Sequence, residues 1–361
     1  MKITRLIGLI LLVAGQVCYA SSNVYEQVVL YPSIDQYGDS LMLSGKVSVP
    51  VVKSPKGIIL WPHHTISANK EAPSVGKYGA VKDFSEDYVL VLPDYIGYGV
   101  TKALFHPYLH GALTAQNCVD MLPAALKILD SLQIHPECDS LYIVGYSQGG
   151  ASALWTLRLL EEQYADRVHI KKCFIGGGPY DVASTYDVAI SHEKTIGPFI
   201  IPLLAMGTSV AYDLQLPREL ILTPAMNRRF EKEIASKKYG LLELYLRMPN
   251  HKISHWLSDY GRDKTQPHTR RMYEGFLKSS FVHYPMDTIL GEDSICPSWI
   301  PTAPVYVFHS TADDLVPFQN ALHLQRLYKD VPTITWDFSD QGGHVKALRV
   351  FTSLLKELIK E

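Results

Sequence analysis

The pentapeptide Gly145-Tyr146-Ser147-Gln148-Gly149 places a serine between glycines, directly after the apolar run Leu141-Tyr142-Ile143-Val144 and before a helix-compatible stretch. Strand, sharp turn and helix is the setting that presents a serine hydroxyl as a nucleophile, because glycines near the turn remove Cβ atoms that would clash there. A serine hydroxyl is a weak nucleophile at its own pKa, so a base and an orienting acid must come from elsewhere in the chain. Two late segments supply them. His309-Ser310-Thr311-Ala312-Asp313-Asp314-Leu315-Val316-Pro317 puts Asp313 and Asp314 just after an expected strand, and Gln341-Gly342-Gly343-His344 brings an imidazole to the loop before the last helix. Asp340, close before His344, is a third and weaker carboxylate candidate. Together these residue types can carry out acyl transfer through a covalent intermediate.

The elements that must position them follow from hydrophobic patterning. Residues 24–34 and 40–51 alternate polar and apolar around Gln36-Tyr37-Gly38-Asp39 and predict an antiparallel pair. Residues 57–61 and 88–92 are short, continuously apolar runs of the kind found in buried parallel strands. Helical spacing runs through 113–132 and again through 151–164, either side of the serine strand, and 173–175 predicts a strand closed by Gly176-Gly177-Gly178. Alternation of strand and helix argues for a parallel sheet covered on both faces. It stops between about 185 and 299, where residues 195–212 carry no charge but include Pro198, Pro202 and two glycines, which favours a cap over a pocket rather than a membrane span. The alternation resumes with a strand at 305–309, a helix at 319–328, a strand at 333–338 and an amphipathic helix at 345–359.

Composition narrows the function. The 361 residues are 47% hydrophobic and 19% charged, enough for one large core with an insertion and too apolar for disorder. Net charge is -2, or -4 without Lys2 and Arg5, so no basic field exists to hold nucleic acid. Residues 1–20 read as a secretory signal, with a basic start, an apolar stretch from Leu6 to Val13, and cleavage after Ala20. Secretion or release into a periplasm is expected, with retention through Cys18 the lesser alternative because Val17 precedes it. Of the remaining cysteines, Cys118 and Cys173 sit in apolar surroundings, while Cys138 and Cys296 are more exposed by context and leave any bridge open. No C-x-x-C or H-E-x-x-H pattern makes a case for a metal.

Serine, acid and histidine in that order, with the pentapeptide in its strand-turn-helix setting, resemble the α/β-hydrolase superfamily of lipases, esterases and related peptidases, and most of all secreted bacterial lipase/esterase-like proteins. The resemblance covers roughly 40–182 and 300–360 and implies a mostly parallel central sheet flanked by helices with a largely helical cap insertion. It divides the chain into a leader (1–20), core (21–184), cap (185–299) and core (300–361). It puts the acid in a D-x-x-V-P segment, which lands on Asp313, with Asp314 as the alternative, and makes Ser147 the nucleophile and His344 the base. It implies one oxyanion donor at the backbone N–H of Gln148. A second would lie at Thr65, in Pro62-His63-His64-Thr65, where His64 replaces the glycine of the family's histidine-glycine turn; the His64 N–H is the alternative. Water is the co-reactant, so no cofactor is required.

The expected activity is hydrolysis of small-molecule or lipid carboxylic esters, with the apolar run from Pro198 to Leu204 available to line an acyl channel, to contact a lipid surface or to form the buried base of the cap. Three alternatives stay open. A secreted aminopeptidase or peptidase of the same fold would use cap residues such as Glu231, Glu233, Glu243 and Tyr245. A carbohydrate acyl esterase could stack sugars on Trp256 or Trp299. A non-catalytic binding protein could occupy the same scaffold.

Overall fold

A computed structural model describes residues 19–21, 23–52, 54–76, 83–136, 140–192, 197, 199–248, 252–282 and 298–360. The bulk of the expected leader, Cys138, Cys296 and Pro198 lie outside the described residues.

Among the described residues, nine strands form one sheet: β1 (Tyr19–Ser21), β2 (Val24–Ile34), β3 (Ser40–Pro50), β4 (Ile58–Leu60), β5 (Val89–Pro93), β6 (Ser140–Tyr146), β7 (His169–Gly176), β8 (Val305–Ser310) and β9 (Ile334–Ser339). Their order is β1-β2-β3-β5-β4-β6-β7-β8-β9. The first three strands and the β3–β5 joint are antiparallel, and every pair from β5 to β9 is parallel. The expected cleavage after Ala20 would start the mature chain inside β1.

Helices α1 (Gly111–Val119), α2 (Leu122–Leu132), α3 (Gln148–Gln163) and α4 (Val182–Ser191) follow the early strands. One helix over 113–132 is not formed. It breaks at Asp120 and Met121, and Pro123 then sits in the first turn of α2, where its missing N–H leaves no gap in the hydrogen-bond ladder. Helix α3 begins at Gln148 rather than 151, so the serine is its N-cap.

The insertion contains α5 (Ile200–Ala211), α6 (Arg218–Ile221), α7 (Pro224–Phe230) with a π-helical turn at Glu231–Ala235, α8 (Leu241–Arg247), α9 (Ile253–Trp256), α10 (Asp259–Arg262) and α11 (Pro267–Ser279). The uncharged run contributes α5, a helix of 12 residues; no described helix is long and apolar enough to cross a membrane. The chain then returns through β8, α12 (Gln319–Tyr328), β9 and α13 (His344–Leu358).

Among the described residues, the three largest apolar clusters sort by layer. One contains Val47, Ile143, Leu157 and Ile175, joining the sheet to α1, α2 and α3. A second packs Val144, Phe174 and Phe308 against Phe351 and Leu355 of α13. The third is the cap's own, with Leu204, Met226, Trp256 and Phe276, and it reaches down to Tyr108 and Tyr186. Cys118 and Cys173 are buried free thiols, each pushed up by burial. The continuously buried strands explain why the sheet center reads as unbroken apolar runs.

Candidate active site

Four segments meet at the carboxyl ends of the parallel strands, the edge where open α/β sheets bind ligands. Ser147 follows β6, Asp313 follows β8, His344 follows β9 and the 62–65 loop follows β4. The turn at the serine is severe. Ser147 has φ 59° and ψ −127°, a conformation that non-glycine residues rarely adopt. The residues two positions away on either side must be glycine: a Cβ on Gly145 would lie 2.0 Å from the Gly149 carbonyl oxygen, and one on Gly149 would lie 2.2 Å from that of Pro62. The second approach also presses the elbow against the 62–65 loop.

The strained backbone is held from behind. The Ser147 N–H donates to Gly176 O at 2.8 Å, and Gly176 and Gly177 leave the space taken by the Tyr146 ring. Tyr146 Oη donates to the backbone oxygen of His344 at 2.8 Å, tying the residue before the serine to the first turn of α13. A tyrosine in the pentapeptide carried no sequence signal for this task, since its partner is 198 positions away.

His344 Nε2 is 2.9 Å from Ser147 Oγ, and His344 Nδ1 is 2.7 Å from Asp313 Oδ2. A carboxylate only accepts, so Nδ1 carries the proton and Nε2 presents its lone pair to the serine hydroxyl. The adjacent aspartates divide the work. Asp313 turns a buried carboxylate to the ring, whereas Asp314 accepts the backbone N–H of His344 at 2.9 Å. Asp340 accepts the Gly342 N–H and does not reach the ring. Ser310 Oγ donates to Gly342 O and accepts the Gln341 N–H, fastening the acid and histidine loops to each other.

Burial alone would raise the Asp313 pKa, but the hydrogen bond and charge of His344, the charge of His309 and the Leu315 N–H outweigh it and hold the carboxyl below its ordinary value. His309 lies behind Asp313, with Nε2 3.6 Å from the same Oδ2. It is fully buried, and burial pushes its pKa down. The expected sequence candidates Ser147, Asp313 and His344 are therefore brought into one hydrogen-bonded chain, while Asp340 is not.

Thr65 lies on the loop beside the elbow, buried, with its hydroxyl 2.8 Å from Tyr108 Oη. Among the described residues, the backbone N–H groups of Thr65 and Gln148 have no protein acceptor. Asp94 supports this edge structurally: its buried carboxylate accepts from Ser44 Oγ at 2.5 Å and from the Ser74 N–H at 2.8 Å. No group of metal-ligating side chains occurs among the described residues.

A family model described as secretory lipase matches residues 76–350. The chain belongs to the secretory lipase family. Within that setting, 240 residues are 28% identical to the secreted triacylglycerol lipase LIP5 of Malassezia furfur, covering 66% of this chain and 55% of that protein. The chain spans about half the length of this curated relative. The fold is shared with solved structures of low sequence identity. The rice cell wall degrading esterase LipA of Xanthomonas oryzae matches at a TM-score of 0.74, with 20% identity over 95% of this chain and 89% of that one. A putative hydrolase of Legionella pneumophila matches at 0.75, with 22% identity over 96% and 91%. Candida antarctica lipase A in its closed state matches at 0.65, with 18% identity over 90% and 74%.

The family member's cap turns the alternative sequence candidates to structural use. Glu231 pairs with Arg218, Glu243 with Lys70, and Glu233 with both Arg229 and Arg247. Trp256 is buried in the cap core, and Trp299 donates its indole N–H to Glu161 at 3.0 Å. Phe199, Ile201, Leu203 and Leu204 are likewise buried in that core.

Proposed function

We propose that the protein is a secreted carboxylic ester hydrolase that works through an acyl-enzyme on Ser147. The observation that carries this reading is the Ser147–His344–Asp313 hydrogen-bonded chain at a strained strand-helix turn. In acylation, His344 Nε2 takes the hydroxyl proton as Ser147 Oγ bonds to the ester carbon, and the collapsing tetrahedral species expels the alcohol, which receives that proton. Water then attacks the acyl-enzyme with His344 again as base, releasing the acid. Asp313 keeps the ring in the tautomer that accepts at Nε2 and stabilises the imidazolium. The developing oxyanion is assigned to the N–H groups of Gln148 and Thr65, where fixed donors need no reorganisation.

Family membership supports ester chemistry, and the pairing of every cap glutamate named above argues against an amine-binding peptidase site. The domain reading puts residues 185–299 over the catalytic edge as a cap. Export is supported by the secreted lipase it resembles. Contact with a lipid surface is assigned to the outward side of α8, where Leu242 and Leu246 are 72% and 68% exposed; serine at both positions should lower turnover of emulsified esters and leave soluble ones unchanged.

The test is hydrolysis of 4-nitrophenyl esters from acetyl to long-chain acyl, beside amino-acyl 4-nitroanilides, by the protein and by Ser147→Ala. Ester turnover that Ser147→Ala abolishes is the expected result. Preferential anilide turnover, or equal turnover by both proteins, would overturn the assignment.

A further inference from the structure

A serine hydrolase gains most from oxyanion donors that are already aimed before the charge forms, and an error of about 1 Å in such a site can cost on the order of 100-fold in rate. Backbone N–H groups have no rotamer to lock, so their aim depends on what holds the residues that carry them. Gln148 opens helix α3 and Thr65 sits on the loop after β4, 83 positions apart in the chain. Each is gripped by its side chain, and both grips come from the loop containing His106-Pro107-Tyr108.

His106 Nδ1 lies 2.8 Å from the Ile96 carbonyl oxygen, which can only accept, so that nitrogen carries the proton. Nε2 is left with its lone pair and faces Gln148 Nε2 at 2.7 Å, making the glutamine amide the donor. Two positions on, Tyr108 Oη is 2.8 Å from Thr65 Oγ1. All four side chains belong to buried residues. Burial, then His63 and Lys237, push the His106 pKa down to about 3, so the neutral ring is the form present at any pH where such an enzyme works.

The loop itself has little room to move. A Cβ on Gly97, which has φ 93°, would lie 2.8 Å from the His106 nitrogen, and one on Gly207 of α5 would lie 2.7 Å from that of Tyr108. The first glycine comes from the core and the second from the cap, so the two bodies press the loop from both sides. The rings of Tyr95 and His106 are stacked at 5.8 Å, and Tyr95 stacks in turn on His63, two residues before Thr65.

We propose that His106 and Tyr108 are positioning residues for the oxyanion site: by holding the side chains of Gln148 and Thr65 from one rigid loop, they fix the two backbone donors relative to each other. This rests on the reading that the Gln148 and Thr65 N–H groups are the donors. Both act through the side chains they hold. Their effect belongs to the step in which charge develops, so it appears in kcat and in the binding of tetrahedral adducts rather than in KM.

The experiment measures kcat and KM for 4-nitrophenyl butyrate, and inhibition by phenylboronic acid, which forms a tetrahedral adduct with the serine. The proteins are His106→Asn, His106→Gln, Gln148→Met, the double variant His106→Asn/Gln148→Met, and Tyr108→Phe. Asparagine keeps a polar atom near the Nδ1 position and loses the one at Nε2, whereas glutamine restores a polar atom there. Expected are losses in kcat of about tenfold or more for His106→Asn and Gln148→Met with KM within about twofold, no further loss in the double variant, and recovery by His106→Gln to within about threefold. Phenylboronic acid should weaken in parallel with kcat/KM. Additive losses in the double variant, or equal losses for asparagine and glutamine, would overturn the clamp. A fall in kcat with boronic acid affinity retained would instead overturn the Gln148 and Thr65 donor reading beneath it. If His106→Asn fails to fold, Tyr108→Phe carries the test: it removes one hydroxyl, should lower kcat about threefold or more, and an unchanged kcat contradicts the proposal.

Discussion

At the elbow, Gly145 and Gly149 let backbone meet backbone where any other residue would place a Cβ, whereas the cap is held by side chains that reach across long stretches of sequence. Five of its seven described helices have seven residues or fewer, too short to hold their shape alone. Their stability comes from a shared apolar core and from anchors on the hydrolase body. Lys237 is the clearest anchor. Its buried ammonium donates to the carbonyl oxygens of Gly97, Lys102 and Leu104, while its own carbonyl accepts the Asn69 N–H at 2.8 Å. Ser67 Oγ adds a bond to Tyr239 O at 2.8 Å. The catalytic edge is thus shaped by steric exclusion within a few residues, and the cap by polar contacts between distant ones.

The largest expected effect separates two neighbours on the catalytic edge. Asp313→Asn should cut kcat by about 10³–10⁴-fold, because an amide at that position no longer enforces the tautomer that accepts from serine. Asp314→Asn retains an oxygen for the His344 N–H and should cost less than about tenfold. Equal losses in steady-state assays would remove the division of labour between the two carboxylates.

Gly149→Ala tests steric shaping directly. With the Pro62 carbonyl oxygen 2.2 Å from the new Cβ, the 62–65 loop or the elbow must shift. A loss of about 100-fold in kcat and about 1–3 kcal/mol in stability is expected from turnover and urea unfolding. An alanine variant with unchanged kcat would show that the loop is free to retreat.

On the cap side, Lys237→Met leaves three carbonyl oxygens without their donor and should cost about 1–3 kcal/mol. Hydrogen exchange should report that loss in 200–248 and 66–72 first, with the β6 and β8 amides retaining their protection. Uniform loss of protection would mean that cap and core unfold as one unit.

The effect on activity is smallest for a change that appears as a slope of stability against pH. His106 has a folded pKa of about 3 against 6.5 in an exposed histidine, so below pH 6.5 the unfolded chain binds a proton that the folded one does not. Stability therefore rises with pH across this window and is lost on acidification, by up to about 1.4 kcal/mol per pH unit for this group. The depressed Asp313 acts in the same direction at lower pH: its contribution is present above the ordinary carboxylate value and is lost as pH falls through its folded pKa. Urea unfolding between pH 4.5 and 6.5 should show a shallower slope in His106→Gln, and an unaltered slope would exclude His106 as a buried neutral histidine.

What the sequence disclosed follows the same division. Ser147, Asp313 and His344 each sit in a local pattern, and parallel strands deliver those patterns to one edge whatever lies between them. The helix break at Asp120 was legible only through Pro123, which is also compatible with a kink in a longer helix. His106, Tyr108 and Lys237 carried no local signal, because each has its meaning in a partner from 42 to 140 positions away. The cap glutamates and tryptophans offered recognition chemistry by type alone, and the fold spent them on ion pairs and core packing. Residue type without a partner is weak information where contacts are long-range.

The most direct measurement is covalent titration with diethyl 4-nitrophenyl phosphate, followed by peptide mapping. Release of about one 4-nitrophenolate per chain is expected, with phosphorylation confined to Ser147 and neither event in Ser147→Ala. Absence of a burst from the folded protein, or a label on any other residue, would contradict Ser147 as the nucleophile.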